Sequence, residues 1–220
     1  MGKILTTIAF AFIFFIGAIA QEKSYQTSYV QFSANLKDHP ALRERLSADS
    51  IYQTLSTFER EFIYYLNYVR QFPAEFSTQA VLPYLKAYPE FKPGYGTSLV
   101  LELEKSGAIP VIHPDGKLFK LARLHSADIS QHDLMSHNSY NGTSLQTRFE
   151  KAGIVCGSEC INMLSTGSPL EVLLSLLVDY NVSNLGHRKS LLNAKMSSVG
   201  VGVGTSTKNL QYTVVDLGCY

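Results

Sequence analysis

Apolar residues in this chain recur at two different spacings, and the change from one to the other divides it. Phe58, Phe62, Tyr65, Leu66 and Val69 fall three or four residues apart, the spacing of one helix face, and Pro73 predicts where that first core helix stops. A second stripe, Leu118, Leu121, Ala122, His125 and Ile129, opens at Asp115-Gly116; Leu170, Leu173, Leu174 and Leu177 form a third. Near the C-terminus the period falls to two. Val199, Val201 and Val203 alternate with Gly200, Gly202 and Gly204, and after the turn "TSTKN" the run "LQYTVVDLG" predicts the returning strand of a β-hairpin. The strand glycines imply either close backbone approach or weak packing, and they lack the strand-then-helix context of a phosphate loop. Another strand is expected at "INML". Between Pro83 and Gly116, Tyr88-Pro89 and Pro93-Gly94 predict irregular structure around the patch "SLVLELEK". Helices first and a hairpin last, without repeated strand-helix units, predict an α+β fold.

The start of the chain changes the picture of where the protein works. Lys3 is the only charge before an apolar run that reaches Ile16, and Ala18-Ile19-Ala20 ends it, so residues 1–20 read as a signal peptide followed by a secreted or extracytoplasmic protein. The run is too short to be a comfortable membrane span. Removing the segment takes away one lysine and no acid, so the formal charge of +1 falls to zero. Neutrality argues against nucleic acid or an anionic membrane as partner. Residues 21–57 are polar and mixed, with a turn at Asp38-His39-Pro40 and a helical patch "ALRERL", and read as an N-terminal extension before a domain over 58–220. After export the three cysteines, Cys156, Cys160 and Cys219, meet an oxidising compartment, so one disulfide and one leftover thiol are expected; the spacing does not say which pair forms.

Among the six histidines, His39 and His113 lie beside prolines in expected loops and read as solvated. His125 falls on the apolar face of the second helix and reads as a hydrogen-bonded core histidine. His132 follows Asp128 by one helical turn, which suits a surface ion pair. His137 and His187 differ: each sits in a connection, "LMSHNSYNG" and "NLGHRKSLLN", with no apolar periodicity to bury it. Glu159 lies at the edge of the "INML" strand. Two imidazoles and a carboxylate from three segments could hold a divalent ion, zinc first, with one position open, or could serve as acid and base. The other reading is that each hydrogen-bonds its own loop.

The strings "LARLHSADIS", "MSHNSYNGTSLQTRFEKAG", "SECINML", "GHRKSLLN" and "VGVGVG…YTVVDLG", with Asn67 and Arg70 in "LNYVRQFP", occur in the order of a known domain. Together they resemble the CAP superfamily of cysteine-rich secretory, antigen 5 and pathogenesis-related-1 proteins, and its bacterial SCP-like branch. The resemblance implies an α-β-α sandwich with a small, largely antiparallel sheet and a cleft lined by two histidines and two acids. His137, Glu159 and His187 match three of these positions. Where many members have Trp-x-x-Glu this chain has "LLVD", which makes Asp179 the candidate for the fourth, with Glu171 as the alternative; Cys160 stands where the family has Asn. Asn67 and Arg70 carry over as structural residues.

Three functions compete. Two imidazoles with acids and no evident activated nucleophile favour a binding or effector module, with a divalent metal in the cleft and a small ligand, lipid or protein as partner. A metal-assisted hydrolase is the enzyme alternative, since metal-bound water needs no serine. The third is an envelope-interaction protein that recruits lipid or sterol through the extension and the Tyr-rich 81–95 stretch.

Overall fold

The computed structural model describes residues 32–219, and the signal peptide expected at 1–20 lies outside them. Two short helices, α1 (Pro40–Ser47) and α2 (Ser50–Thr54), precede the first core helix, α3 (Thr57–Gln71). A reciprocal capping box starts α3: Glu59 N donates to Ser56 Oγ, and Ser56 N donates to the Glu59 carboxylate. Pro73 ends it and at once begins α4 (Pro73–Phe76). The stretch expected to be irregular is mostly helical, with α5 (Leu82–Ala87) and α6 (Thr97–Lys105) on either side of a kink at Pro93-Gly94. Pro83 follows a π-helical turn, Ser77–Val81, that runs α4 into α5 without a break; Leu82 N donates to Ser77 O, and the missing N–H of Pro83 falls where the helix register changes. Then come α7 (Gly116–Gln131), capped by Asp115, α8 (Leu145–Lys151), α9 (Pro169–Val178) and α10 (Gly186–Leu191).

Among the described residues four strands form one sheet in the order β1-β3-β4-β2: β1 (His113–Pro114), β2 (Gly157–Leu164), β3 (Ser198–Thr205) and β4 (Gln211–Gly218). Only the two-residue β1 pairs in parallel; β3/β4 is the expected hairpin, and β2 adds antiparallel to β4. The alternation in β3 sends its two kinds of residue to opposite layers. Val199 and Val201 enter the main core with Phe62 and Leu66 of α3 and Leu173 and Leu177 of α9. The glycines face α7, whose backbone lies where their side chains would be. The result is the α-β-α sandwich that the resemblance implied.

The extension takes a place in the packing, and one expectation changes. The described part of the extension packs into the domain, because Leu42, Leu46, Tyr52 and Leu55 are buried in the main core. His39 is not solvated: it is buried, its ring stacks on Phe72 at 3.9 Å, and its Nε2 lies 2.6 Å from a Glu75 oxygen. A histidine beside a proline can still be enclosed when the segment carrying it is folded back onto a helix. His113 stays half exposed, 4.0 Å from Asp49.

Candidate functional site

β2 carries Glu159 into the layer between sheet and α7, where its carboxylate is fully buried. His137, on the loop after α7, keeps half of its side chain exposed and places Nδ1 2.9 Å from Glu159 Oε1. A carboxylate can only accept, so Nδ1 carries the proton and Nε2 is left as the free nitrogen. Arg148 of α8 donates to Glu159 Oε2 at 2.6 Å and to the His137 carbonyl at 2.9 Å, holding both members of the pair. Burial alone would push the Glu159 carboxyl up, but the His137 hydrogen bond and the charges of His125 and Arg148 bring it below the usual range. His125 is the core histidine the helix pattern predicts: Nε2 donates to the Ser136 carbonyl at 3.0 Å, and burial lowers its pKa. Its Nδ1 is buried without a partner among the described residues.

The second pair is built from a helix end. Asp179 ends α9 in the left-handed region, with φ 56°. From there Oδ1 accepts from His187 Nδ1 at 2.8 Å while Oδ2 accepts from the His187 and Arg188 backbone at 2.9 and 3.3 Å. The buried carboxylate thus starts α10 and orients the imidazole. Glu171 does neither, because it closes a capping box with Ser168 at the other end of α9. The two imidazole centres stand 6.4 Å apart. The fold therefore brings together His137, Glu159, Asp179 and His187 as two histidine-carboxylate pairs, with Glu171 elsewhere.

Two participants carry no role in the sequence reading, Arg148 and Asp216. Asp216 of β4 is the cross-strand partner of Glu159 and is buried, with one oxygen unpartnered. Burial first, then the neighbouring Glu159 charge and the hydrogen bond to it, push the Asp216 carboxyl well above the ordinary range. Such a carboxyl–carboxylate bond needs one proton, and Asp216 holds it. A carboxyl raised on folding stabilises fully below its unfolded pKa, and that contribution is lost as pH rises through the folded value. Asp216→Asn, which keeps a donor without the proton, should therefore gain on the wild type by at least about 1 kcal/mol between pH 4.5 and 8. Urea unfolding at both pH values measures this; equal pH slopes for the two proteins would place the proton elsewhere.

Do these residues fit the expected metal? Both oxygens of Glu159 are already engaged, and no group of three or more His, Cys, Asp or Glu that could hold an ion occurs among the described residues. The three-ligand set expected from the sequence is thus not formed. A two-imidazole donor set does fit, with the acids behind it, because each ring has Nδ1 committed and one nitrogen to offer. Ser136 Oγ accepts from Asn138 N, and no hydrogen bond joins it to His137 among the described residues. Cys156 pairs with Cys219, leaving Cys160 as a buried thiol whose pKa burial raises.

Residues 63–217 match CAP, the cysteine-rich secretory protein family, and the chain belongs to that family. Among solved structures it is similar to an outer surface protein from Borrelia burgdorferi, at 18% identity and a TM-score of 0.42 over 50% of this chain and 79% of that one. It is also similar to an extracellular protein containing an SCP domain from Bacillus anthracis str. Ames, at 15% identity and a TM-score of 0.47. That match covers 86% of this chain and 45% of the Bacillus chain. No curated protein matches the sequence. Among the described residues no helix is long and apolar enough to cross a membrane.

Proposed function

We propose that this chain is an exported binding module whose cleft takes a divalent cation through His137 and His187. The observation that carries the reading is the pair of imidazoles 6.4 Å apart, each with Nδ1 fixed by a buried carboxylate. Glu159 and Asp179 set the tautomer that leaves Nε2 as a lone-pair donor, and Arg148 keeps Glu159 charged and in place. Neutral nitrogen donors suit zinc over magnesium or calcium. A zinc ion held there would act as a Lewis acid with positions open to an oxygen of the ligand. Export is supported by the Cys156–Cys219 disulfide, which suits an oxidising compartment.

Isothermal titration with zinc at pH 7 tests the proposal. The wild type should bind about one equivalent, His137→Ala/His187→Ala should bind at least tenfold more weakly, and Asp179→Asn should weaken binding roughly 10–100-fold through loss of the orienting acid. Equal, weak heats from wild type and the double variant would remove the cleft as a metal site.

A further inference from the structure

The sheet has one edge that β1 does not finish. Asp115 N donates to Val199 O, the last rung between β1 and β3. By strand alternation the odd-numbered residues of β3 turn their N–H and C=O groups outward. The outward groups of Val203 and Thr205 have no hydrogen-bond partner among the described residues. Val203 is 39% exposed, and neither a proline nor a charge lies on β3 to guard the edge.

Val203, on the open edge, lines a groove. Two adjoining hollows of about 480 and 700 Å³ share Thr54, Leu55 and Arg123; the larger reaches Phe58 and Val203, the smaller Phe119, Lys120 and Leu124. One wall comes from the end of α2 and the start of α3, the other from α7, which lie on opposite sides of the sheet. Arg123 joins them by a two-pronged ion pair to Glu59, at 2.7 and 2.9 Å. The walls are apolar, with Leu124 60% exposed. Of the three charged lining residues Arg123 and Glu59 neutralise each other, which leaves Lys120 as a cation with no ion pair among the described residues.

We propose that this groove binds an extended peptide in which apolar side chains alternate with acidic ones, added as a short strand to β3 at Val203 and Thr205. Each feature selects that occupant. Free main-chain groups call for another main chain, which an acyl chain cannot supply. The apolar side chains, all on one face of the added strand, would enter the hollow beside Leu55 and Phe58, and the carboxylates on the other face would meet Lys120 of α7. This surface is separate from the His137–His187 cleft, and its test does not depend on metal.

The probe is a fluorescein-labelled octapeptide of alternating valine and glutamate, followed by anisotropy at low salt. Saturable binding is expected, weakened at least tenfold by Lys120→Glu, by Val203→Pro, and by N-methylation of alternate peptide residues; the last control needs no altered protein. No saturable binding up to millimolar protein, or equal binding of the N-methylated peptide, overturns the proposal. So does displacement of the peptide by decanoate with no effect of Val203→Pro, which assigns the groove to an amphiphile. A wild-type dimer in sedimentation equilibrium that Val203→Pro makes monomeric also overturns it and gives the edge to a second copy.

Discussion

Gly202→Ala should destabilise the protein by about 3 kcal/mol, a fall in Tm of roughly 6–12 °C for a chain of this size. A β-carbon at Gly202 would overlap the carbonyl of Ala122 and the amide nitrogen of Arg123, closer than side chains ever approach. Both neighbours are backbone of α7, so no rotamer change relieves the overlap, and the whole helix must lift from the sheet. Lifting it would disturb more than packing, because α7 carries His125 and leads into the His137 loop. Gly200 meets the same limit against Leu118 and Phe119. Gly107 is the control: nothing lies within 4 Å of its added carbon, so Gly107→Ala should stay within about 0.5 kcal/mol. If urea unfolding gives both variants the same midpoint, α7 does not seat on β3 as described.

That alternation of valine and glycine was readable as a strand, but not as a strand under a helix. Period two predicted β3; choosing between close approach and weak packing required knowing that α7, about eighty residues earlier, lies against it. The three long helices were legible because each carries its own apolar stripe, with Pro73 marking the end of the first and Asp115 the start of the second. The 83–116 stretch differs from its expectation because a proline that a π-helical turn accommodates looks the same in sequence as one that breaks a helix. At the site, His137 and His187 stood out as histidines without an apolar pattern. The choice between Asp179 and Glu171 could have been settled locally, since Ser168-Pro-Leu-Glu171 is a capping box that commits Glu171 to its own helix. Asp216 had a weaker signal, one acid inside the apolar run "VVDLG". What makes it matter is the register that sets it opposite Glu159, and register is a property of the folded sheet.

Arg70→Met should cost about 4 kcal/mol or more, a large share of the roughly 5–15 kcal/mol that holds a domain together. Arg70 is buried and faces no carboxylate among the described residues; its donors go to four backbone carbonyls, Pro110, Leu191, Asn193 and Met196, at 2.8–3.0 Å. Burial lowers its pKa to about 10, so the guanidinium stays charged at neutral pH and is stabilised by those acceptors. The carbonyls belong to the segment before β1, to α10 and to the segment before β3, none of which has a hydrophobic stripe long enough to place it. Methionine would fill much of the volume while leaving the carbonyls buried and unpaired, and each orphan costs about 1–3 kcal/mol. Lysine would keep the charge but cannot reproduce a planar fork over acceptors in several directions, so Arg70→Lys should recover only a minor part of the loss. Because α10 bears His187, partial loosening would reach the cleft before global unfolding. Amide exchange should therefore show Leu191 and Leu192 losing protection in Arg70→Lys while Leu173 and Leu174 of α9 keep theirs. Uniform loss across all four would mean that Arg70 supports the whole core rather than stitching α10 to it.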